Sequence, residues 1–407
     1  MDNIISICNK IVLFDTRESY ENLLPLSYTR PVAEFRIGIV SLREKWEHFL
    51  SGNYSYYPME FLREKFPLNC DEDEEALFIA GNKLPDKAIA LEASQLKHGE
   101  ALRDNGGVWA FRGSRREFER LDPAAGRESA NDSRRINYVY DVFGYNADEI
   151  VSDFLWLTRG RTGVAPDKST VIIGEEKLRN GVPALFIEKG AVVEGATINL
   201  KDGPVYIGKN ARVMEGACLR GPLAICTEAK IKMGAKIYGG TTFGPFCKVG
   251  GEVDNTVMFG FSNKAHDGYL GNAVIGEWCN IGAGTNSSNL KNDYSKIRIW
   301  NYAQQRFMRT DLQFCGLIMA DHSKAGINCM FNTATVVGVG VNFHGAGFPR
   351  TFIPSFSAGS PEAGFSDVPI DKFMQTASRV MGRRGLELTD IDRHIFEKIH
   401  ESASKYK

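Results

Sequence analysis

The chain has 407 residues, a length that predicts two or three domains rather than one hydrophobic core. Apolar residues make up 43% of it and charged residues 24%, as in globular proteins, and no apolar run reaches the ~18 residues of a membrane helix. Its formal net charge of −1 lacks the basic excess of most nucleic-acid-binding proteins, so we expect neither nucleic acid nor a membrane as partner.

The start of the chain and its cysteines favour a cytoplasmic location. The first residues read MDNIISICNKIVLF, and both the acidic Asp2 and the polar Asn9-Lys10 pair argue against a signal peptide. None of the cysteines forms a C-x-x-C pair, and no cysteine–histidine group has zinc-ligand spacing. We therefore expect free, buried thiols in a reducing compartment and no metal site. The cysteines are Cys8, Cys70, Cys218, Cys226, Cys247, Cys279, Cys315 and Cys329.

Residues 1–165 predict an open α/β domain. Two segments predict helices, PVAEFRIGIVSLREKWEHFL (31–50) and NADEIVSDFLWLTRG (146–160). Strands mixed with helices in this way favour a layered α/β domain. The segments typical of buried strands are KIVLFD (10–15), EALFIAGN (75–82) and GVWAFRG (107–113).

Residues 166–345 follow a repeat of six. From Ile207 the chain reads IGKNAR, VMEGAC, LRGPLA, ICTEAK, IKMGAK, IYGGTT, FGPFCK and VGGEVD, and an apolar residue opens every hexad. The fifth place is mostly small, and glycine in the second place, as at Gly208 and Gly244, suits turns that would strain other residues. This period predicts a solenoid of short parallel strands and resembles the hexapeptide repeat of left-handed parallel β-helices. The alternative, a β-sandwich, requires a period of two.

The repeat continues after a two-residue slip and an insertion. It resumes with VMFGFS (257–262), runs to IGAGTN (281–286), breaks over 287–314 and is in phase again from Cys315. A long insertion in a solenoid lies on the surface, where it either carries function or forms a hairpin that covers an edge. Both alternatives stay open.

Residues 346–407 predict a proline-containing arm followed by two amphipathic helices. Thr389 and Asp392 have the spacing of a capping box at the start of the second helix. The apolar face of that helix requires a partner, either the preceding helix or another subunit. This face carries Ile391, Ile395, Phe396 and Ile399.

The stretch NKAHDGYLG (263–271) places a histidine within the repeat. Acyl transfer from a thioester to an amine requires a base for the amine proton and a dipole for the developing oxyanion. His266 suits the first task, since histidine titrates at about 6.5, and the backbone N–H groups of the corner IGAGTN suit the second. Enzymes on such solenoids have no deep pocket of their own and place their sites between subunits, so we expect a homotrimer.

The segment KAHDGYLGNAVIGEWCNIGAGTNSSN (264–289) resembles the acetyltransferase half of the bacterial bifunctional N-acetylglucosamine-1-phosphate uridylyltransferase/glucosamine-1-phosphate acetyltransferase family. With PLSYTRPVAEFRIGI (25–39) and DHSKAGIN (321–328), the chain is more similar still to a sugar nucleotidyltransferase-like variant of that family. The resemblance implies a short nucleotidyltransferase-like α/β domain, a left-handed β-helix acyltransferase domain and C-terminal helices. It also implies acetyl-CoA as co-substrate and a sugar phosphate or nucleotide sugar as the other substrate.

The resemblance gives roles to the matching positions. His266 is the implied general base, and the alternative is a structural histidine that is hydrogen-bonded at a corner. Gly250 stands where the family has a phosphate-binding arginine, and Lys248 and Lys264 are the nearby cations. The implied substrate contacts are Tyr269, Asn280, Asn289, Lys264 and Lys248, and the implied acetyl-CoA contacts are Ala283 and Gly284.

The front domain lacks the glycine-rich phosphate loop of sugar nucleotidyltransferases. Its first predicted strand is followed by DTRESYENLLPLSYTRP (15–31) instead. Arg17, Arg30 and Lys45 could bind the phosphates of a nucleotide, and surface charge explains them equally well. Mg²⁺ is expected only if this domain is active; otherwise it is a degenerate binding domain or one that organises the trimer.

Three functional hypotheses follow. The first is an acetyl-CoA-dependent N-acetyltransferase acting on an amino sugar phosphate, similar to glucosamine 1-phosphate, or on a nucleotide-linked sugar. The second is a sugar-1-phosphate nucleotidyltransferase, transferring a uridylyl or thymidylyl group, whose β-helix serves assembly or regulation. The third, a zinc enzyme like the solenoid carbonic anhydrases, needs three histidines of which two are close in sequence; His266, His322 and His344 are too far apart. We expect His322 and His344 to be structural.

Overall fold

The computed structural model describes residues 5–131 and 134–407, with the side chains from residue 9 onward. Contacts divide the chain into two units. The first takes in the described residues up to Phe35 and from Val40 to Tyr138; the second takes in Arg36–Ile39 and Val139–Lys407. Among the described helices, none is long and apolar enough to cross a membrane.

The first unit is built on a mixed sheet with short helices. In the described residues the strand order is β4-β1-β5-β7-β6-β8. Strand β1 runs parallel to β4 and β5, whereas β7 runs antiparallel to β5 and β6, so the predicted α/β fold is confirmed. The strands up to residue 138 are β1 (Ile5–Phe14), β2 (Arg36–Ile37), β3 (Val40–Ser41), β4 (Leu50–Tyr57), β5 (Glu75–Ala80), β6 (Ala101–Asp104), β7 (Gly107–Ser114) and β8 (Arg127–Glu128). The helices are α1 (Arg17–Asn22), α2 (Leu42–Phe49), α3 (Lys87–Ser94) and α4 (Arg115–Glu119), with 3₁₀ turns at Leu26–Tyr28, Val32–Glu34 and Glu60–Leu62.

The helix expected over residues 31–50 is much shorter. It begins only at Leu42, where Ser41 forms a capping box: the Glu44 N–H donates to Ser41 Oγ over 3.3 Å and the Ser41 N–H donates to Glu44 Oε2 over 2.7 Å. Gly38, with a φ of +77°, has a left-handed conformation that an α-helix cannot contain. The expectation of one continuous helix was therefore wrong.

The second unit contains a parallel β-helix, as the hexads predict. Ile207 pairs with Ile225 and Ile225 with Phe243, so one coil spans three hexads. Its strands are β9 (Val171–Ile173), β10 (Leu185–Ile187), β11 (Val192–Val193), β12 (Thr197–Asn199), β13 (Val205–Ile207), β14 (Arg212–Val213), β15 (Cys218–Arg220), β16 (Leu223–Ile225), β17 (Lys230–Ile231), β18 (Lys236–Ile237), β19 (Thr241–Phe243), β20 (Lys248–Val249), β21 (Glu252–Gly260), β22 (Asn263–Lys264), β23 (Tyr269–Glu277), β24 (Asn280–Ile281) and β25 (Asn286–Ser287). Beyond the insertion they are β28 (Ile318–Met319), β29 (Lys324–Ala325), β30 (Met330–Phe331), β31 (Val336–Val337), β32 (Asn342–Phe343), β33 (Phe352–Ile353), β34 (Ser357–Ser360) and β35 (Gly364–Asp367).

All of these strands except β25 and β30, which pair with each other, form two large sheets in the described chain. The ten-stranded sheet has the order β11-β14-β17-β20-β22-β24-β29-β32-β34-β35, and β23 belongs to the thirteen-stranded one. Neighbouring coils pair in parallel, but β35 runs antiparallel to β34 at the end of the ten-stranded sheet. The first residues of the hexads fill the interior and are at most 2% exposed: Ile207, Val213, Leu219, Ile225, Ile231, Ile237, Phe243 and Val249.

The glycines at the second place of the hexads are explained by the close approach of the next coil's backbone and not by strain in a turn. Gly208 and Gly244 are absent from the residues with positive φ. A Cβ at Gly208 would lie 2.7 Å from the Thr227 nitrogen, and one at Gly244 would lie 1.9 Å from the Phe259 oxygen. The next coil thus leaves no room for a side chain, which corrects the expected reason.

The insertion folds as a hairpin, one of the two alternatives left open. Strand β26 (Arg298–Asn301) pairs antiparallel with β27 (Arg306–Arg309). The Trp300 ring stacks on Phe352 of the β-helix with 4.3 Å between centroids, so the hairpin packs against a later coil.

Three helices complete the second unit: α5 (Asp141–Leu157), α6 (Ile370–Gly382) and α7 (Asp390–Ala403), followed by a 3₁₀ turn at Ser404–Tyr406. Asn146 of α5 donates from Nδ2 to the Gly240 carbonyl over 2.7 Å, so this helix packs on the β-helix. The capping box of Thr389 and Asp392 is present as predicted. The partner of the apolar face of α7 lies in the same chain, because Phe396 contacts Phe373 of α6 at 4.9 Å and His322 at 5.3 Å.

The described cysteines are free, and all are buried except Cys218. The expectation of buried thiols is therefore wrong at Cys218, and the Cys8 side chain lies outside the described part of the chain. Burial raises the pKa of the Cys247, Cys279 and Cys315 thiols to about 12. These thiols stay protonated near neutral pH, so they suit packing rather than nucleophilic chemistry.

Candidate functional site

His266 lies in a short loop, residues 265–268, between β22 and β23, and its side chain is exposed. Hydrogen bonds from two sides hold this loop, which we call the His266 loop. The Gly284 N–H of the next coil donates to the Asp267 carbonyl over 2.9 Å. Lys264 Nζ donates to the carbonyl of His266 itself. The backbone is thereby fixed while the imidazole faces solvent.

Lys264 is the unusual neighbour of this loop. It pairs in register with Val249, an interior position, and is only 1% exposed. Burial lowers the pKa of its ammonium to about 8, and Asp267 partly offsets the shift. Lys264 is a predicted substrate contact, but its side chain lies inside the coil rather than on its surface.

Two glycines of the preceding coil make room for the His266 loop. A Cβ at Gly250 would lie 2.6 Å from the Ala265 oxygen, and one at Gly251 would lie 2.8 Å from the His266 oxygen. Both contacts are with backbone, which cannot move aside cheaply. A side chain at position 250 therefore has no room.

Tyr269 and Asn289, two predicted substrate contacts, are brought together. Asn289 Nδ2 donates to Tyr269 Oη over 2.9 Å and to Asn272 Oδ1 over 2.8 Å. Burial raises the Tyr269 pKa to about 12, so its hydroxyl stays neutral near pH 7. Asn272 was missed in the sequence, where it reads only as a polar residue in a strand. A Cβ at Gly271 would lie 2.2 Å from Tyr269 Oη, so glycine leaves space for this cluster.

Asn280 and Lys248 lie elsewhere, on the ten-stranded sheet. Lys248 pairs in register with Asn263, and Asn263 with Asn280. Asn263 Nδ2 also reaches Asn280 Oδ1 at 3.5 Å. Tyr269 belongs to the other sheet through β23. Within one chain the predicted substrate contacts therefore form two separate groups.

Ala283 and Gly284 differ in what their N–H groups can do. The Gly284 N–H already donates to the His266 loop, and Gly284 has a φ of +70°. In the part of the chain that the structure describes, the Ala283 N–H donates to no protein acceptor. Of the two predicted acetyl-CoA contacts, only Ala283 has a free donor for a carbonyl oxygen.

The other candidate histidines occupy different surroundings. His322 is 5% exposed and stacks on Trp278 with 6.0 Å between centroids, while the side chain of His344 is exposed. Among the described residues, no group of three histidine, cysteine or acidic side chains could hold a metal ion.

The three cations suggested for nucleotide binding are not equivalent. Arg17 is exposed and pairs with Glu21 at 2.9 Å. Arg30 and Lys45 are buried, at 7% and 1% exposure, so surface charge does not explain them. None of the three lines the pocket of the first unit, and their role in nucleotide binding stays a prediction.

The first unit has a pocket of about 330 Å³ near the carboxyl end of β1. Arg135 and Asp104 form a two-point ion pair there, with distances of 3.0 and 2.6 Å, and Lys83 Nζ lies 2.5 Å from Asp104. The pocket is lined by Thr16, Glu18, Ser19, Asn22, Asn82, Asp104, Asn105, Gly106, Arg135, Asn137 and Tyr138.

Two acidic groups of this region, Asp104 and Asp15, do not suit a Mg²⁺ site. Both oxygens of Asp104 accept from Lys83 or Arg135. The buried Asp15 accepts from the Val32 N–H over 3.2 Å, and burial raises its pKa to about 7. Magnesium prefers ionised carboxylates that are free to coordinate it, and neither Asp104 nor Asp15 meets both conditions.

Comparison with known proteins finds similarity over part of the chain. A family model described as sugar nucleotidyl transferase matches residues 11–162. The bifunctional protein GlmU of Rippkaea orientalis (strain PCC 8801 / RF-1) is 24% identical over 225 residues, which cover 46% of this chain and 48% of that protein. The GlmU protein of Synechococcus elongatus (strain ATCC 33912 / PCC 7942 / FACHB-805) is 29% identical over 143 residues, 33% of this chain and 31% of that one.

These similarities have a limited extent. The chain spans about half or less of the length of the curated relatives that it matches. A solved UDP-N-acetylglucosamine acyltransferase from Francisella novicida is 14% identical over 60% of this chain and 76% of its own, with a TM-score of 0.31. That score is too low for an argument from shared fold. The chain is thus similar to GlmU-type bifunctional proteins over part of its length and contains a region that matches sugar nucleotidyl transferases.

Proposed function

We propose that this protein is a transferase whose β-helix is an acetyl-CoA-dependent N-acetyltransferase. Its substrate is an amino sugar phosphate, similar to glucosamine 1-phosphate, or a nucleotide-linked amino sugar. The observation that carries the proposal is the exposed imidazole of His266 on a backbone held from two sides. Tyr269, at the start of the following strand β23, and Asn289, which lies after β25, supply polar groups for a sugar.

The chemistry assigned to these groups is direct transfer. The amine nitrogen of the sugar attacks the thioester carbonyl, a C–N bond forms, and the C–S bond breaks to release CoA as its thiolate. His266 accepts the proton that the nitrogen loses and passes it to the thiolate sulfur, which gives the thiol. The Ala283 N–H is placed to donate to the carbonyl oxygen as negative charge develops on it. Tyr269, Asn280 and Asn289 position the sugar.

A homotrimer in the cytoplasm completes this proposal. Tyr269 and Asn280 lie on different sheets of one β-helix, so a single chain offers two incomplete walls. A second copy would bring the Asn280 wall of one chain against the Tyr269 wall of another. The described cysteines are free, which suits a reducing compartment.

A second candidate activity belongs to the first unit. The match of residues 11–162 to sugar nucleotidyl transferases, together with the pocket beside Arg135, favours transfer of a uridylyl or thymidylyl group to a sugar 1-phosphate. In this alternative the β-helix serves assembly or regulation. The two activities are compatible in one chain.

A thiol-release assay separates these proposals. The protein is mixed with acetyl-CoA and a panel of amino sugar phosphates and nucleotide-linked amino sugars, and free CoA is followed with a thiol reagent. We expect release with at least one amine substrate and none with its N-acetylated form. Pyrophosphate release from UTP or dTTP with sugar 1-phosphates tests the first unit separately. Pyrophosphate release without any thiol release would reject the acetyltransferase and support the nucleotidyltransferase.

A further inference from the structure

Five basic side chains gather beside the ten-stranded sheet and at the end of α6. Lys230 and Lys248 occupy paired positions in β17 and β20, and such strands lie about 4.8 Å apart. Lys232 follows in the same coil as Lys230, and Arg383 and Arg384 approach from the C-terminal segment. We call these residues the basic cluster. Arg383 is exposed and the other four are half-buried.

The basic cluster lacks the carboxylates that accompany its neighbours. Arg212, the next position in register with Lys230, lies 3.8 Å from Glu194. Among the described residues, no ion pair joins any member of the basic cluster to a carboxylate. Burial lowers the pKa of Lys248, and repulsion from the other four cations adds to the effect. Like charges held together at a cost suggest a site for an anion.

Arg384 is held in place with donors to spare. Its Nη2 donates to the Phe246 carbonyl and to Asn263 Oδ1, both over 3.3 Å. In the described chain its Nε and Nη1 donate to no protein group, so N–H donors remain on two sides of the guanidinium. A guanidinium fixed in this way suits a charge-assisted hydrogen bond to a phosphate. Asn263 also contacts Asn280, which links the basic cluster to a predicted substrate contact.

We propose that the basic cluster binds the phosphate group of the sugar substrate. Arg384 supplies the guanidinium, and Lys248 and Lys230 supply point charges. The C-terminal segment thereby provides the phosphate anchor that the crowded backbone at Gly250 excludes. The nature of the ligand rests on the proposed function, since a sugar phosphate and a nucleotide-linked sugar present the same chemistry; the anion site itself rests on the geometry alone.

Calorimetric titration of the full chain, without acetyl-CoA, tests the anion site. The ligands are inorganic phosphate, glucosamine 1-phosphate, UDP-glucosamine and glucosamine, which carries no phosphate. We expect Arg384→Gln and Lys248→Gln to weaken binding of glucosamine 1-phosphate roughly 10- to 100-fold, the effect of losing one charge-assisted bond, and to leave glucosamine binding unchanged. Lys236→Gln, on the neighbouring sheet, is the matched control and should bind as wild type. The tighter of the two charged sugars identifies the source of the phosphate.

The outcomes distinguish this inference from the proposed function. Wild-type affinity in both Arg384→Gln and Lys248→Gln overturns the anion site, even if acetyl transfer is present. A wild-type protein that binds none of the charged ligands at millimolar concentration also overturns it. Weakened binding in a protein that transfers no acetyl group supports the site and rejects the acetyltransferase. Since Arg384 also anchors the segment after α6, melting curves accompany the titrations, and Lys248→Gln carries the test if Arg384→Gln fails to fold.

Discussion

The ammonium group of Lys264 lies where the preceding coil puts Val249. A charged group in such a place costs free energy unless it is well paired, and the carbonyl of His266 is its described hydrogen-bond partner. The lysine thus reads as a positioning residue that holds the His266 loop from inside the β-helix.

Lys264→Met tests that role. We expect kcat to fall by roughly 10-fold or more with the KM for acetyl-CoA little changed, because the His266 loop loses its inner hydrogen bond. Stability should stay equal or rise, since an apolar side chain of similar length replaces a buried charge. Thermal melting and steady-state kinetics measure the two effects. An unchanged kcat would show that Lys264 has a purely structural role.

The same variant has a signature in pH. Because the folded pKa of Lys264, about 8, lies below its ordinary 10.5, the unfolded chain binds the extra proton between these values. Wild-type stability should therefore rise with pH across that range relative to Lys264→Met. Melting temperatures of both proteins between pH 7 and pH 10, measured side by side, check the sign.

His266→Ala should lower turnover by about 100- to 10,000-fold, the contribution of a positioned general base. Because the imidazole is exposed, the variant should melt as wild type does. His266→Gln is a useful companion, since it keeps a polar side chain without a titrating group. Retention of more than about a tenth of the activity would reject the base assignment.

Asp15 in the first unit shows the opposite kind of shift. Its carboxyl pKa is raised from 3.8 to about 7 by burial, so ionisation favours the unfolded state and stability falls as pH rises between these values. Asp15→Asn should stabilise the protein by on the order of 1–3 kcal/mol above pH 7 and have little effect near pH 4. Thermal melting at both pH values is the measurement, and equal gains at both would contradict the linkage.

At the scale of elements, the C-terminal helices cover a row of aromatic rings at the corners of the β-helix. Phe261 stacks on Phe246 at 5.0 Å and on Trp278 at 4.4 Å, and Trp278 stacks on His322. Each of these four residues has a positive φ, between 52° and 62°. Phe396 of α7 closes the row from above.

Phe396→Ala should therefore lower stability by about 3–5 kcal/mol, as for other buried phenylalanines. The active groups proposed above do not contact Phe396, so acetyl transfer at 25 °C should be retained. Urea unfolding followed by tryptophan fluorescence measures the loss, with the exposed Phe348 changed to alanine as control. Equal midpoints for the two variants would contradict this packing.

The hexads could be predicted from sequence because each buries its first residue. An apolar residue therefore recurs every six positions, and this period identifies the residues of the interior. The helix over 31–50 could not be bounded, because a left-handed Gly38 outweighs the helical pattern around it. Tyr269 and Asn289 follow family spacing, whereas Asn272 is set by the register of β23. The basic cluster could not be predicted from the sequence, since Arg384 comes near Lys248 only once α6 has packed against the coils.

At the scale of the whole molecule, the two groups of proposed substrate contacts lie on separate sheets, so the proposed site needs a second copy to be complete. We expect a homotrimer by light scattering at micromolar concentration. Activity should fall on dilution below the dissociation constant of the trimer. A fully active monomer would contradict the shared site, although the assignment of His266 would stand.

The antiparallel strand β35 affects whether further chains can add to the end of the β-helix. A stack of parallel coils ends in open backbone N–H and C=O groups, which template further addition of strands. Here the chain reverses: Ser357 pairs with Asp367, and Lys407 forms an ion pair with Asp367 at 2.8 Å. Reversal and charge at this edge oppose docking of another chain's first coil in the same direction, so we expect them to disfavour end-to-end polymerisation at the ten-stranded sheet.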